Sequence, residues 1–356
     1  MTVQRVAYVV NMFPKVSETF IVNEIAELTG RGIDCRVLSL KRPTEALRHA
    51  VVDTLPLDRM VFYDHDAFRR SLAANPPDVV HAHFATEPTR VAGALAAALH
   101  LPFTFTAHGY DVYRKPPADL RDRIRAAHAV VTVSEANADH LVTNFDAPRE
   151  RLRVLPCGVD LDRFRPAAHR VEPHTIVCVA RLRPVKNLGA LLMACRLLKD
   201  RDVRFRLVVV GEGPSLPDLE AERTRLGLDA EVRFEGAQDH ATVLAWWQRA
   251  TVGVLTSHSE GMPVSLMEAA ACGVPAVAPA VGGIPELIDH GVTGFVTPPG
   301  DPAAVADALT RVLGSPALRA TMSLAARRRA EIRFSASAQV DALLDLWASI
   351  PRPVLA

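Results

Sequence analysis

Two stretches of this 356-residue chain combine residue types that could hold and activate a phosphorylated ligand. The first runs Ser259-Glu260-Gly261-Met262-Pro263-Val264-Ser265-Leu266-Met267-Glu268 and continues Ala-Ala-Ala-Cys-Gly-Val-Pro. Pro263 suits the first position of a helix, where its missing N–H costs nothing, and Gly273 suits the stop. The amides of Val264, Ser265 and Leu266 would then point out of the helix start, an arrangement that binds anions. Gly261 permits close backbone approach. Glu260 falls in the loop and Glu268 inside the helix. Eight residues apart, they lack the same-face spacing of three or four, so they are expected to face different parts of a ligand. An ordinary helix with acidic residues near its positive end accounts for the same stretch about equally well.

The second stretch is Ala180-Arg181-Leu182-Arg183-Pro184-Val185-Lys186-Asn187, directly after an apolar run. Arg181 and Lys186 could grip a diphosphate, one as a planar fork and the other as a point charge. Lone Arg–Lys pairs usually sit on solvated loops, but a place at a strand's carboxyl end favours a ligand. His81 and His83 alternate near another strand end. They could ligate a metal, yet no third ligand is evident in the sequence, and satisfied structural histidines fit better. His83 could alternatively reach a substrate near that strand end. Trp246 and Trp247 fall in a helical stretch and read as packing residues. Arg114, Lys115, Arg121, Arg123 and Arg125 form a local basic stretch, for which a solvated helix face is the ordinary explanation.

The elements that must position these residues alternate strand and helix along the whole chain. Apolar runs at 5–11, 35–40, 78–81, 103–107, 129–134 and 152–155 are separated by helical stretches, among them 89–100 and 135–145. After a polar, Pro-containing stretch at 165–173 the alternation restarts: strands at 175–180, 205–211, 231–236, 252–257 and 276–279, helices near 187–200, 215–226, 241–250 and 263–272. This pattern gives an α/β chain with two doubly wound parallel sheets facing across a cleft, whose ligands bind beyond the strands' carboxyl ends. The expected divisions are residues 1–168, 169–332 and a final amphipathic segment, 333–350.

Composition bounds the reading. The net charge of +1 argues against a nucleic-acid partner. Five dispersed cysteines without CxxC spacing suggest buried thiols in a reducing compartment. No leader pattern and no run of about 18 apolar residues is present, so a cytoplasmic location is expected.

Taken together, Arg181…Lys186-Asn187, Glu260 with Glu268, and the following Ala-Cys-Gly-Val-Pro-Ala-Val resemble the donor domain of glycosyltransferase family 4, retaining enzymes of the GT-B fold. His108-Gly109-Tyr110-Asp111, Pro156-Cys157-Gly158-Val159-Asp160 with Phe164 and Pro166, Gly282-Gly283-Ile284-Pro285-Glu286 and Gly291-Val292-Thr293-Gly294-Phe295 extend the resemblance over most of the chain. The resemblance implies that Arg181 and Lys186 neutralise the leaving diphosphate with the 264–266 amides, that Glu268 accepts from the ribose hydroxyls, and that Glu260 contacts the transferred sugar. It places His108, with Asp111 in the same loop, at that sugar from the opposite domain. It puts the nucleotide base near Gly211-Glu212-Gly213 and Arg233–Gly236, Phe234 included. It also implies a nucleoside-diphosphate sugar as donor substrate, a saccharide or lipid-linked acceptor, no cofactor and no metal, with no Asp-x-Asp pair expected to hold one. A last helix would cross back to the first domain.

One departure concerns the loop after the first strand. Many family members have Gly-Gly there; this chain has Phe13-Pro14-Lys15-Val16-Ser17-Glu18-Thr19-Phe20, a form similar to the exopolysaccharide and colanic-acid branch. Ser17 is expected to cap the next helix, and Lys15 to supply charge in place of bare amides. A lipid-linked acceptor would require peripheral contact with the inner face of the plasma membrane, for which 114–125 is the candidate. A nicotinamide-dependent oxidoreductase is the main rival from another class. It requires Gly-x-Gly-x-x-Gly after an early strand, and the loop after 5–11 has no glycine. Other GT-B enzymes, an epimerase or a phosphorylase, are closer rivals, as is a non-catalytic sugar-nucleotide-binding partner.

Overall fold

Along strand β1 (Arg5–Met12), Ala7 and Val9 enter one apolar cluster while Val6, Tyr8 and Val10 enter another. Alternate side chains of a strand point to opposite faces, so a strand apolar at every position needs cover on both. The computed structural model, which describes residues 2–44, 49–167 and 172–351, provides it with helices on each face. β1 is followed by β2 (Asp34–Lys41), β3 (Val61–Phe62), β4 (Val79–His83), β5 (Phe103–Ala107), β6 (Ala129–Thr132) and β7 (Leu152–Val154). They form one seven-stranded sheet in the order β3-β2-β1-β4-β5-β6-β7, parallel at every pairing.

The second half repeats the plan with β8 (Thr175–Val179), β9 (Arg206–Val210), β10 (Val232–Phe234), β11 (Val252–Val254), β12 (Ala276–Pro279) and β13 (Gly294–Thr297). Their order is β10-β9-β8-β11-β12-β13, again parallel. In each sheet the strand order reverses once, between β1 and β4 and between β8 and β11. Loops leaving adjacent strands in opposite directions part there and open a crevice at the carboxyl ends. Strands β3 and β13 were not read in the sequence: β3 is two residues long, and β13 begins at Gly294, inside a stretch read as a turn.

Capping explains several helix starts. Ser134, Asp64, Asp239, Asp301 and Ser315 each accept from a main-chain N–H three residues on, and Pro302 and Pro316 open their helices. Ser17 does not act this way. The helix Thr19–Gly30 begins one residue later, with Glu18 at the cap position and no side-chain cap.

Residues up to Gly158 together with those from Ala336 onward form one unit, and Val159–Ser335 form the other. The expected boundary at residue 168 lies outside the described residues, and the other expected boundary was 332. The chain changes unit earlier because Val159 N–H donates to Phe334 O at 2.8 Å and Val159 bridges Ser335, which tie it into the second unit. The final helix, Ala336–Ser349, buries Val340, Leu343, Leu346 and Trp347 in the first unit's core. All five cysteines are free and buried. Among the described residues, no helix is long and apolar enough to cross a membrane.

Candidate functional site

The second unit gathers its chemistry at the reversal between β8 and β11. After β8 the chain runs through Arg181 to a short 3₁₀ turn, Pro184–Lys186, and Asn187 then takes a left-handed conformation (φ 48°) that an Asn side chain tolerates. Thr256, just past β11, donates from its hydroxyl to Asn187 O at 3.0 Å, and His258 N–H donates to Val185 O at 2.8 Å. These bonds lash the two loops together. They bring Lys186 Nζ to 2.5 Å from Glu260 Oε1, which also accepts from the Ser257 hydroxyl at 2.6 Å. Glu260 is thus oriented by a cation and a hydroxyl. Arg181 is exposed and has no carboxylate partner among the described residues.

The helix after this loop is Val264–Ala271. Pro263 is not its first residue, as expected, but its cap: its ψ of 109° is extended, and its carbonyl accepts from the Leu266 and Met267 amides at 3.1 and 3.3 Å. Leu266 is therefore satisfied inside the helix. Of the three amides expected to be free, Val264 and Ser265 alone lack an acceptor among the described residues. Met262 and Pro263 are buried and Gly261 half-buried. Gly273 ends the helix at φ 72°.

Glu268 lies within this helix with 5% exposure. Burial pushes its carboxyl up to about 8, opposed by the Trp247 side chain and Arg163. His240 Nε2 stands 3.7 Å from it. In the free chain Glu268 is therefore largely protonated near neutral pH.

Close backbone approach stitches the remaining loops. A Cβ on Gly282 (φ 49°) would lie 1.7 Å from Glu260 O, and one on Gly211 (φ 137°) 2.0 Å from Ala180 O. Both positions demand glycine. Gly211 N–H donates to Gly236 O at 2.8 Å, which draws the 211–213 and 233–236 segments side by side, with Phe234 half-buried there under the Arg223 guanidinium, 5.8 Å away.

In the first unit, β4 and β5 end at His83 and Ala107, and His108 follows. Asp111 is fully buried and accepts from His108 N–H at 2.9 Å and Ala85 N–H at 2.6 Å. It clips the two strand-end loops together and presents no face to a ligand. Burial raises its carboxyl to about 7, against the pull of three main-chain N–H bonds. A π turn, Tyr110–Arg114, follows. His83 is 1% exposed on its side chain and bonded through both ring nitrogens, so it stands behind His108 and not at the surface. His108 packs between Phe20 and Phe84, and burial holds it well below the usual imidazole range, with His83 adding to the effect.

The third partner for the histidine pair, missing from the sequence reading, is Glu24. One ligand atom each from Glu24, His81 and His83 lies within 4.8 Å of the others. His81 is already committed: its Nδ1 and Nε2 meet the hydroxyls of Thr104 and Thr106 at 2.8 and 3.0 Å. Glu24 comes from the helix after β1, and nothing local links it to β4. Lys15 is ion-paired with Glu18, and Ser17 is exposed. In the basic stretch, Arg121 pairs with Asp146, Arg123 with Asp119, and Arg125 with Asp122. Three of its five charges are thereby neutralised.

Two family profiles match in tandem: Glycosyltransferase Family 4 over residues 17–163 and Glycosyl transferases group 1 over residues 161–329. A D-inositol 3-phosphate glycosyltransferase from Frankia alni is 30% identical over 87% of this chain and 89% of its own. The chain belongs to the family 4, group 1 glycosyltransferases. Another relative, the amylovoran biosynthesis glycosyltransferase AmsK of Erwinia amylovora, is 28% identical over 91% of this chain and 94% of its own. A D-inositol 3-phosphate glycosyltransferase from Saccharomonospora viridis reaches 39% identity, but over 63% of this chain and 56% of that relative. Among solved structures, Anabaena HepE in complex with UDP aligns at a TM-score of 0.81 and 19% identity, covering 97% of this chain and all of that one. The fold is GT-B.

This glycosyltransferase also aligns with HepE in complex with UDP-glucose, at a TM-score of 0.80 and 19% identity. Asp-x-Asp pairs do occur in this chain, at Asp64–Asp66, Asp160–Asp162 and Asp200–Asp202, contrary to expectation. Asp64 caps a helix, Asp160 accepts from the Asp162 and Arg163 amides, and Asp200 pairs with Arg196. Ser257 and Thr256, which orient Glu260 and Lys186, were missed as well. Their only signal was a place just after an apolar strand.

Proposed function

We propose that the enzyme is a retaining, metal-independent hexosyltransferase that moves a sugar from a nucleoside diphosphate to a saccharide or lipid-linked oligosaccharide in exopolysaccharide or cell-surface glycan synthesis. The observation that carries this reading is the loop pair at the β8–β11 reversal, where Arg181, Lys186 and the Val264 and Ser265 amides occupy one strand-end region. Glycosyl transfer must stabilise a departing diphosphate and an oxocarbenium-like sugar. Two cations with a helix start meet the first need through main-chain and side-chain donors. Lys186 pairs with Glu260 in the free chain, so the arriving diphosphate competes for Lys186 and leaves Glu260 to accept from sugar hydroxyls. Glu268 is assigned to the ribose hydroxyls, and Gly211 and Phe234 to the base. His108 is assigned to the transferred sugar.

The likeness to AmsK supports an exopolysaccharide acceptor. A second acceptor, D-inositol 3-phosphate, is favoured by the several relatives that bear that name. The test is turnover of UDP-, GDP- and ADP-sugars with and without EDTA, offering inositol phosphate and oligosaccharide acceptors, with the anomeric configuration of the product read by NMR. Inverted product, or activity abolished by EDTA and restored by a divalent ion, would overturn the corresponding part of the reading.

A further inference from the structure

Behind His108 lies a chain of buried polar groups that the donor site does not use. Glu24 is 2% exposed, in the helix Thr19–Gly30. Its Oε1 accepts from the Tyr8 hydroxyl at 2.8 Å and lies 3.1 Å from His83 Nε2. Its Oε2 accepts from the Gln339 amide at 2.8 Å. On the other side of the ring, His83 Nδ1 faces His108 Nε2 at 3.2 Å, with the two rings stacked at 5.5 Å. No group among the described residues bonds His108 Nδ1.

Proton counting along this chain leaves little freedom. A carboxylate already accepting from a phenol and an amide offers only lone pairs, so His83 Nε2 must carry the proton it shares with Glu24. A neutral His83 then has a lone pair at Nδ1. Two facing ring nitrogens at hydrogen-bond distance need one proton between them, and it must come from His108 Nε2. His108 is left with a bare Nδ1.

We propose that Glu24 and His83 are positioning residues that hold His108 as its Nε2–H tautomer, so that it meets a substrate hydroxyl as a hydrogen-bond acceptor through Nδ1. Use of His108 at the substrate rests on the function proposed above; the tautomer itself does not. A metal ion at Glu24, His81 and His83 is the competing use of the cluster, and it would have to displace one of the two bonds that His81 makes to Thr104 and Thr106.

Other titratable groups face this chain. Tyr8 and the thiols of Cys35 and Cys157 are raised by burial and stay protonated, and burial keeps His81 uncharged. Asp111, raised to about 7, titrates in the working range, but it bonds main-chain amides and neither ring. Asp111→Asn separates its contribution from that of Glu24.

The deciding experiment is nitrogen NMR of the free full-length protein labelled with ¹⁵N-histidine, the His83 and His108 signals being assigned from His83→Gln and His108→Gln. Protonated Nε2 and bare Nδ1 in both rings is the expected result. A protonated Nδ1 on His108, an imidazolium at His83, or a stoichiometric divalent ion recovered with the purified protein would overturn the proposal. None of these readouts depends on transferase activity. In turnover assays Glu24→Gln removes the charge with little change of shape and should lower kcat by about 10–100-fold, with donor KM less affected. Loss of the carboxylate disfavours a protonated histidine pair, so the acid limb of kcat/KM should move to lower pH in Glu24→Gln and not in Asp111→Asn. A uniform loss of activity with the limb unmoved would mark Glu24 as structural only.

Discussion

Glu268 ties the stability of the second unit to pH, and one substitution isolates the effect. Its carboxyl is 5% exposed, and burial raises its folded-state value from 4.5 to about 8. Between those values the folded protein holds a proton that the unfolded chain has released. The raised value therefore favours the folded state fully below about pH 4.5, and that advantage is lost as pH climbs through 8. Each unit of pKa corresponds to about 1.4 kcal/mol, so the whole window spans about 5 kcal/mol; relaxation and water entry on ionisation reduce this to about 2–4 kcal/mol. Glu268→Gln cannot ionise and nearly keeps the shape. The unfolding free energy of the variant, minus that of the parent, should rise by that amount between pH 5 and pH 9 in urea denaturation. Parallel pH dependences within about 0.5 kcal/mol, the scale of a neutral surface change, would refute the reasoning. The same proton should appear in ligand binding. Ribose hydroxyls donate more strongly to an ionised carboxylate, so UDP binding is expected to release a proton below pH 8, with affinity falling by up to about tenfold per pH unit below that point. Calorimetry in buffers of different ionisation enthalpy counts the proton, and Glu268→Gln should abolish its release.

Three further outcomes follow from the packing. Gly282→Ala places a Cβ 1.7 Å from Glu260 O in a left-handed residue; a drop in thermal midpoint with loss of UDP binding is expected, and unchanged binding would mean the loop shifts freely. Lys186→Ala removes a charge-assisted contact of about 1.5–3 kcal/mol from the proposed diphosphate site. UDP should bind about 10–100-fold more weakly while uridine binds as before, and equal losses for both would argue against a phosphate role. Trp347→Phe deletes the indole donor to Thr104, which also holds His81. A loss of about 1–2 kcal/mol is expected by chemical denaturation, and no loss would show that this bond adds little to the seating of the final helix.

Legibility followed distance along the chain. The loop 259–268 could be read because its residues are sequence neighbours: a glycine, a proline and two glutamates at fixed offsets describe a turn into a helix whatever surrounds it. The 181–187 loop was readable for the same reason. Local rules were less exact about ends. Pro263 proved to be a cap and Ser17 fell one residue short of one, because φ/ψ at a helix start also answers to neighbouring loops. Gly282 looked like a turn glycine, but the reason it must be glycine is the carbonyl of Glu260, which arrives from another strand end.

The amino-acid sequence by itself determined the βα alternation, two parallel sheets, the burial of every cysteine and the family, since these rest on periodicity and on contiguous motifs. Tertiary structure alone decided which polar groups meet. Lys186 finds Glu260 because β8 and β11 are adjacent at the reversal of strand order. Glu24 finds His83, 59 positions away, and Gln339, 315 positions away, because a helix and the final segment of the chain pack on one face of the first sheet. Asp111, named through the resemblance of the His-Gly loop, and His83, named from its place near a strand end, are buried and bonded to His108. Hydrogen bonds act over about 3 Å in space and carry no trace of the separation between their partners in sequence, so only the folded chain could reveal the buried polar groups behind His108.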